Sequence, residues 1–572
     1  MRYEIISERD KNLTALEQVL TNRGIKDIKH YLNTTDADLQ DPLLLDNLRE
    51  GAQMLIRHIF AGDPIYVQTD SDCDGYTSAA LLINYLNALF PSFAQNKIKY
   101  ALHPGKQHGI DVSAIPDGTK LVIAPDSSSN EYEIHKELRE KGIDVLILDH
   151  HEAERVSENA CVINNQLCDY PTKSLSGVGV VYKFCSYLDW VLEKDCVNQF
   201  SDLAALGILA DVMPLTDFET VHIIRKGLDN LTTPFIKGMA IKNEYSIGPE
   251  VTPVGVAWYI APYLNAVTRS GTPEEKLLLF ESLLEFKALE EIPSTKRGCK
   301  GQYETRVEQA LRTCGNIKKH QDDDKKEYTI SLDTFIQDEG LLRNQVLFIQ
   351  QENLAKSGLS GLIANELMGK HAKPVALLIK TQHEDEIWWE GSCRAPKGFD
   401  FKDFCQESGL VEYAEGHQAA FGLGIKDDNV PAFIELCNTQ LAGYDFSPKH
   451  LVDLVYEGTA LEDCSKDFYE LMNYGHLWGQ GVEEPTILIK NFPITKDDIT
   501  LMKGTTLKLC KDKIPMIKFK SNEEEYDTLY SKNGIVLVDI VATCKKNEFR
   551  GMVTPQLFVK DYEIVNRMEY YF

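Results

Sequence analysis

Asp70-Ser71-Asp72-Cys73-Asp74-Gly75 puts three carboxylates within five residues. Held ionised at that spacing they repel one another, so a compact site built from them calls for a cation. Oxygen ligands suit hard divalent metals. The pattern is not a calcium loop, which would need a glutamate where Leu81 stands. Further along, Asp126 follows one apolar run, Asp149-His150-His151 follows another, and Asp211 closes the stretch Leu203 to Ala210. Acids and imidazoles without cysteine favour Mn2+ or Mg2+ over structural zinc. So many carboxylates exceed what one ion takes. Two ions about 4 Å apart would use them, which is the apparatus of phosphoryl hydrolysis. Asp126, the most central acid, is the candidate bridge. Singly, each residue has a plain reading as a turn, an N-cap or a surface histidine. The joint arrangement carries the metal reading.

The elements that must position these residues are legible from apolar runs. Ile65 to Thr69, Leu121 to Ala124 and Val145 to Leu148 read as buried strands, with helices over Thr77 to Phe90 and Glu131 to Lys141. This alternation predicts a doubly wound α/β parallel sheet, and such sheets gather ligands at the carboxyl ends of their strands. The acids and histidines stand at those ends. From Pro273 to about Lys318 a mostly helical segment is expected, a long connecting helix broken near Pro293. The run Gln321 to Glu327 is expected to be a solvated turn. A second α/β unit spans about Val346 to Leu441, with a helix over Leu359 to Met368 and a strand over Val375 to Ile379. From about Glu484, short runs such as Thr486 to Ile489, Thr506 to Leu509, Ile535 to Val538 and Leu557 to Val559 predict a small all-β barrel or sandwich.

Composition sets the outer limits. The chain has 572 residues, 43% of them hydrophobic and 26% charged, which is ordinary for a folded globular protein. A net charge of −27 argues against coating nucleic acid or anionic membrane with the whole surface. The first ten residues lack the apolar core of a signal peptide. Val251 to Thr268 is the longest uncharged run, but Pro253, Gly255, Pro262 and Asn265 mark it as a buried segment rather than a membrane span. The 13 cysteines contain no CxxC pair, so free thiols in a reducing cytoplasm are expected.

The acidic residues together with Asp149-His150-His151 match the DHH phosphoesterase superfamily, and the rest of the chain resembles its RecJ exonucleases. Ser176-Gly177-Val178-Gly179-Val180 is similar to their glycine-rich third motif, and Leu206 to Leu215 to their fourth. Ala261-Pro262-Tyr263-Leu264-Asn265-Ala266 with Arg269 resembles the segment that follows. Gly391-Ser392-Cys393-Arg394 and Gly416-His417-Gln418-Ala419-Ala420 resemble the two signatures of the DHH-associated domain. Trp478 to Pro485 resembles the entry to the OB-fold. The implied architecture is a DHH catalytic domain over 1–271, a connecting helical segment over 272–340, a DHH-associated α/β domain over 341–445 and an all-β OB-fold over 446–572. There are departures. Pro104-Gly105-Lys106 stands where the family usually has Pro-Asn-Arg, Ser127-Ser128 follows Asp126 in place of Asn-Gly, and Glu415 opens the second signature in place of glycine. They mark a divergent member.

The resemblance implies a 5′-to-3′ exonuclease on single-stranded DNA that releases mononucleotides with Mn2+ or Mg2+, with a role in recombination, repair or replication. It implies Asp70, Asp72, Asp74, Asp126, His150 and Asp211 as metal ligands. Asp149 would order the cluster, ligating directly or through hydrogen bonds. His151 would face the scissile phosphate, as donor or as partner of the leaving oxygen. Ser392 and Arg394 would hold the 5′-phosphate, with Lys106, His417 and Arg269 as further substrate contacts. In the barrel, Lys503, Lys508, Lys511, Lys513, Lys518 and Lys520, then Lys545, Lys546 and Arg550, with Phe519 and Phe549, could track a single strand. A single-strand-binding protein or a helicase is a candidate partner, and a cytoplasmic monomer with no membrane contact is expected. Two other readings stand beside this one. A phosphodiesterase of short oligonucleotides or cyclic dinucleotides usually lacks the OB-fold, and a non-catalytic DNA-binding scaffold loses carboxylates that this chain keeps.

Overall fold

The computed structural model describes every residue except 106, 249, 353–356, 460, 512–513 and 570–572, and gives the backbone alone at 357, 462–463, 511 and 549. Two compact units divide the chain. One comprises Met1–Glu4 with Lys318–His450, the other Ile5–Ile317 with Leu451–Phe572. The division falls inside one helix, Arg306–Asp338.

The larger unit holds a five-stranded sheet. Its strands are β1 (Ile65–Thr69), β2 (Ile98–Leu102), β3 (Leu121–Pro125), β4 (Asp144–Asp149) and β5 (Cys161–Asn164). They lie in the order β2-β1-β3-β4-β5, every pair parallel. Every residue of β1 and β3 is buried, as a parallel sheet covered on both faces requires. The chain leaves β1 for β2 on one side and returns to β3 on the other. That reversal opens a crevice at the carboxyl ends of β1 and β3. Helices α1 (Cys73–Leu89), α2 (Tyr132–Glu140), α3 (Gly177–Leu192) and α4 (Ser201–Ala210) follow. The uncharged run Val251 to Thr268 folds as two short helices, Pro253–Tyr259 and α5 (Ala261–Ser270), with α6 (Pro273–Ser282) after them. Among the described residues no helix is long and apolar enough to cross a membrane.

Two expectations are corrected. Glu291–Pro293 and Tyr303–Thr305 form a small hairpin where a broken helix was expected. The run Gln321 to Glu327 is a stretch of the 33-residue helix Arg306–Asp338, not a turn. Three acids are followed by two lysines and a glutamate, and its residues include good helix formers, so a solvated helical face serves them as well as a loop would.

In the smaller unit β6 (Leu347–Gln351), β7 (Val375–His383), β8 (Glu386–Arg394), β9 (Tyr413–His417) and β10 (Ala420–Lys426) form a mixed sheet in the order β9-β10-β8-β7-β6. Helix α7 (Ser360–His371) packs on it. Back in the larger unit, residues 454–569 build a seven-stranded sheet. The short strands expected at Ile535 to Val538 and Leu557 to Val559 are parts of two long ones. Gly534–Phe549 and Met552–Glu569 pair along their length, with register shifts after Leu537 and after Val541. Such irregularities let a strand bend and outlast any one apolar run.

Helix α3 is fixed by a buried ion pair. Lys183 Nζ lies 2.8 Å from Glu219 Oε1, with side chains 2% and 0% exposed. Glu219 also accepts from Tyr170 Oη at 2.9 Å and from the Gln40 N–H at 3.0 Å. Removing one partner strands the other charge in the core. Lys183→Met is therefore expected to cost about 3–5 kcal/mol, and Lys183→Met/Glu219→Leu much less. Urea unfolding of both variants checks this; a double variant no more stable than the single would contradict it.

Candidate metal centre

Each acid reaches the crevice by a local device. Asp70 follows the last residue of β1, and Asp72 caps α1, accepting from the Gly75 N–H at 3.0 Å. Asp74, in the first turn of α1, is gripped by the amino terminus of α3. Its Oδ2 accepts from the Gly177 N–H at 2.8 Å, and its Oδ1 from Ser176 Oγ at 3.0 Å and the Val178 N–H at 3.3 Å. Unpaired N–H groups at a helix start favour a carboxylate there. Asp126 leaves β3 in the left-handed region, φ +65°, its N–H pinned to the Leu148 carbonyl at 2.8 Å. Asp211 caps the end of α4. Close approach is possible only because two glycines lack side chains. A Cβ on Gly177 would stand 2.3 Å from Asp126 Oδ1, and one on Gly207 would stand 2.4 Å from Asp74 Oδ1.

Side-chain ligand atoms converge in three groups, each within 4.8 Å: Asp70, Asp72 and Asp126; Asp74, His150 and Asp211; Asp126, His150 and His151. Asp126 and His150 each belong to two of them. His150 Nε2 faces Asp126 Oδ1 at 3.3 Å and Asp211 Oδ2 at 3.5 Å. All three atoms are buried, and among the described residues none has a hydrogen-bond partner. Buried polar atoms are normally satisfied. Three orphans facing one point fit a cation that would take all of them.

Electrostatics tell the same story. Burial, then Asp74 and the other nearby carboxylates, pushes Asp126 well above the usual carboxylate range. Burial and Asp72 raise Asp74 to about 7. Burial and Asp74 raise Asp211 to about 8. Burial, reinforced by His151, lowers His150 to about 4, which leaves the neutral imidazole that ligates metals. Although the His150 contacts are short enough for ion pairs, a neutral ring forms none. A divalent ion would reverse the carboxylate shifts.

Asp149 is used differently. It accepts from the backbone N–H groups of Ser129, His150 and His151, and its Oδ1 lies 2.8 Å from His151 Nδ1. It is absent from the convergent groups. Burial raises its pKa, but the hydrogen bond and charge of His151 outweigh this and bring it to about 2. The same bond raises His151 to about 9. His151 is exposed even as it holds this bond to Asp149.

The other expected substrate residues fall into two sets. In the larger unit Arg269 is exposed near the end of α5, and on the same helix Asn265 Oδ1 accepts from the Cys73 N–H at 3.2 Å. Lys106 lies outside the described residues. In the smaller unit, register aligns Arg394 with Ala420 and His417, and Ser392 with Gly422 and Glu415. Directly paired residues share a sheet face, so Ser392, Arg394, Glu415 and His417 lie together. The start of α7 meets them there. Ser360 Oγ is 2.9 Å from Ser392 Oγ, and a Cβ on Gly361 would stand 2.4 Å from Arg394 Nη2.

Of the barrel lysines, Lys518 and Lys545 are engaged by Glu525 and Glu484, while Lys503 and Lys520 are exposed. Phe519 is 55% exposed and meets Phe558 edge-on. Lys513 and the side chains of Lys511 and Phe549 lie outside the described residues.

Three residues were not anticipated as site residues: His108, whose Nδ1 lies 2.7 Å from Asp70 Oδ2; Ser360; and Ser176 as a ligand of Asp74. His108 sits in the segment that departs from the usual pattern, which was the available signal. Ser360 had none.

Two family models match the chain, the DHH family N-terminal domain over residues 64–208 and the RecJ OB domain over residues 458–561. The putative SPbeta prophage-derived single-strand DNA-specific exonuclease YorK of Bacillus subtilis (strain 168) is 34% identical, over 99% of this chain and 98% of that protein. The single-stranded-DNA-specific exonuclease RecJ of the same organism is 26% identical over 98% of this chain and 70% of that protein. The crystal structure of RecJ in complex with Mn2+ from Thermus thermophilus superposes with a TM-score of 0.73 at 18% identity, covering 98% of this chain and 77% of that one.

Asp74 and Asp211 keep their protons to about 7 and 8 when folded, against 3.8 for a free side chain. The stability this contributes is complete below the unfolded value and fades as pH climbs through the folded ones. His151, raised to about 9, has the same sign; Asp149 stays ionised in that range. Metal-free protein is expected to melt at falling temperature as pH rises from about 6 to about 8.5, and Mn2+ to raise the melting temperature more at the upper end. Calorimetry with chelator and with Mn2+ checks this. A metal-free melting temperature that climbs across the window would count against the charge balance described.

Proposed function

The chain belongs to the RecJ family of DHH proteins, and from that premise we propose that it is a metal-dependent exonuclease that degrades single-stranded DNA from the 5′ end, releasing 5′-mononucleotides. The observation that carries the reading is the meeting of Asp126, His150 and Asp211 through buried atoms that have no hydrogen-bond partner among the described residues. Asp70, Asp72, Asp74, Asp126, His150 and Asp211 would hold two ions of the Mn2+ or Mg2+ class, Asp126 belonging to two of the converging groups. Ions bound there supply a lowered pKa for a coordinated water and offset charge on the phosphoryl oxygens.

The chain's own residues do the rest. Asp149 fixes the His151 ring through Nδ1, leaving Nε2 for an oxygen of the scissile phosphodiester. Arg394 offers a planar fork and Ser392 a hydroxyl to a terminal 5′-phosphate. Recognition of that end makes cleavage exonucleolytic. Lys106, His417 and Arg269 are further contacts to the strand. The exposed Lys503, Lys520 and Phe519 would hold the strand away from the cut, by charge and by stacking.

With Mn2+, a 5′-labelled single strand is expected to release its label at once as mononucleotide, and a 3′-labelled strand to shorten gradually. The opposite pattern, or cleavage of dinucleotides alone, would defeat the substrate assignment. Asp126→Ala is expected to slow cleavage at least about 100-fold, equivalent to the loss of ~2.7 kcal/mol of transition-state stabilisation, while single-strand binding persists; wild-type protein that binds DNA but cuts nothing would point to a scaffold. Arg394→Ala is expected to abolish any preference for a 5′-phosphate over a 5′-hydroxyl end. Competition between the two ends, in wild type and variant, measures it.

A further inference from the structure

The loop between β2 and β3 leans over the acid cluster and is tied at several points. Across its neck His103 Nε2 lies 2.9 Å from the Gly109 carbonyl oxygen. The Ile110 N–H donates to Glu131 Oε2 at 2.9 Å. From within it, His108 Nδ1 meets Asp70 Oδ2 at 2.7 Å, and the Gly109 N–H points at Asp70 Oδ1 from 3.4 Å.

Beneath the loop stands Lys276 of α6, 2% exposed. Its ammonium donates to the carbonyl oxygens of Pro104 at 2.9 Å, His103 at 3.2 Å and Gly105 at 3.5 Å. Among the described residues no carboxylate pairs with it. A buried ammonium without a counter-charge is costly, and a methionine of similar length would fill the space without that cost. What methionine could not do is turn three successive carbonyls toward one point. The three carbonyls belong to residues that stand a few positions before His108 and Gly109, which meet Asp70.

We propose that Lys276 is a positioning residue for the ion site: it fixes the backbone of residues 103–105, and through that anchor His108 is placed to orient the Asp70 carboxylate. The proposal rests on the metal-dependent reading above and adds to it the residues that aim one ligand. Groups that hydrogen-bond a ligating side chain set metal affinity by about 10–100-fold.

The test is a double-mutant cycle on Mn2+ affinity, read from the electron paramagnetic resonance signal of free Mn2+. His108 has a 66% exposed side chain, so His108→Ala leaves the fold in place. It is expected to weaken binding about tenfold or more, and Lys276→Met similarly. If Lys276 acts through His108, the double variant binds within about threefold of the weaker single. A double variant whose loss is the product of the two singles overturns the proposal, as does unchanged affinity in His108→Ala, whatever Lys276 does. Should Lys276→Met fail to fold, Lys276→Gln, which keeps N–H donors without the charge, takes its place. Wild-type protein that binds Mn2+ without cutting DNA would refute the nuclease reading alone, and the cycle would still decide this one.

Discussion

Mutual repulsion among carboxylates in a buried crevice is the constraint around which this chain is folded. Asp70, Asp72, Asp74, Asp126 and Asp211 are brought within a few ångströms of one another, and nothing local would keep them there. Four features of the fold do. The parallel sheet delivers Asp70 and Asp126 at the point where strand order reverses. The amino terminus of α3 sets its N–H groups on Asp74, answering one negative charge with a helix dipole. Gly177 and Gly207 leave empty volumes in which a side chain would collide with Asp126 and Asp74. The left-handed backbone at Asp126 belongs to the same set, a strained conformation kept because the Leu148 carbonyl holds it.

The parts of the fold that were legible in the sequence are those written in local pattern. The strands ending at Thr69, Pro125 and Asp149 are continuous apolar runs, and the residues at their ends are the ones that converge. The helix through Gln321 to Glu327 was not legible, because a charge-rich run reads alike as a turn and as an exposed helical face. The long paired strands near the carboxyl end were hidden by their bulges, which break an apolar alternation without breaking the pairing. Lys276 left no trace at all. Its meaning lies in carbonyls more than 170 positions away, and no spacing rule spans that.

The net charge of −27 takes on a different look beside the structure. Six of the acids, Asp149 among them, stand in or beside the cation site, so they weigh less against a polyanionic substrate than their number suggests. In the barrel, Glu484 and Glu525 engage two of the lysines that composition alone would have counted as binding surface. Charge totals therefore misjudge this protein in both directions. The residues that matter are the few cations left exposed and the few acids left unanswered.

Gly177 donates to an aspartate 103 positions earlier in the chain. Asp211 joins a group whose other members stand at 74 and 150. Contacts of such length wait until the later partner has been made. A nascent chain halted before Asp211 leaves the ribosome already contains all five strands of the sheet, the last of which ends at Asn164, and yet lacks one corner of its ion site. The site closes 141 residues after its first acid, Asp70.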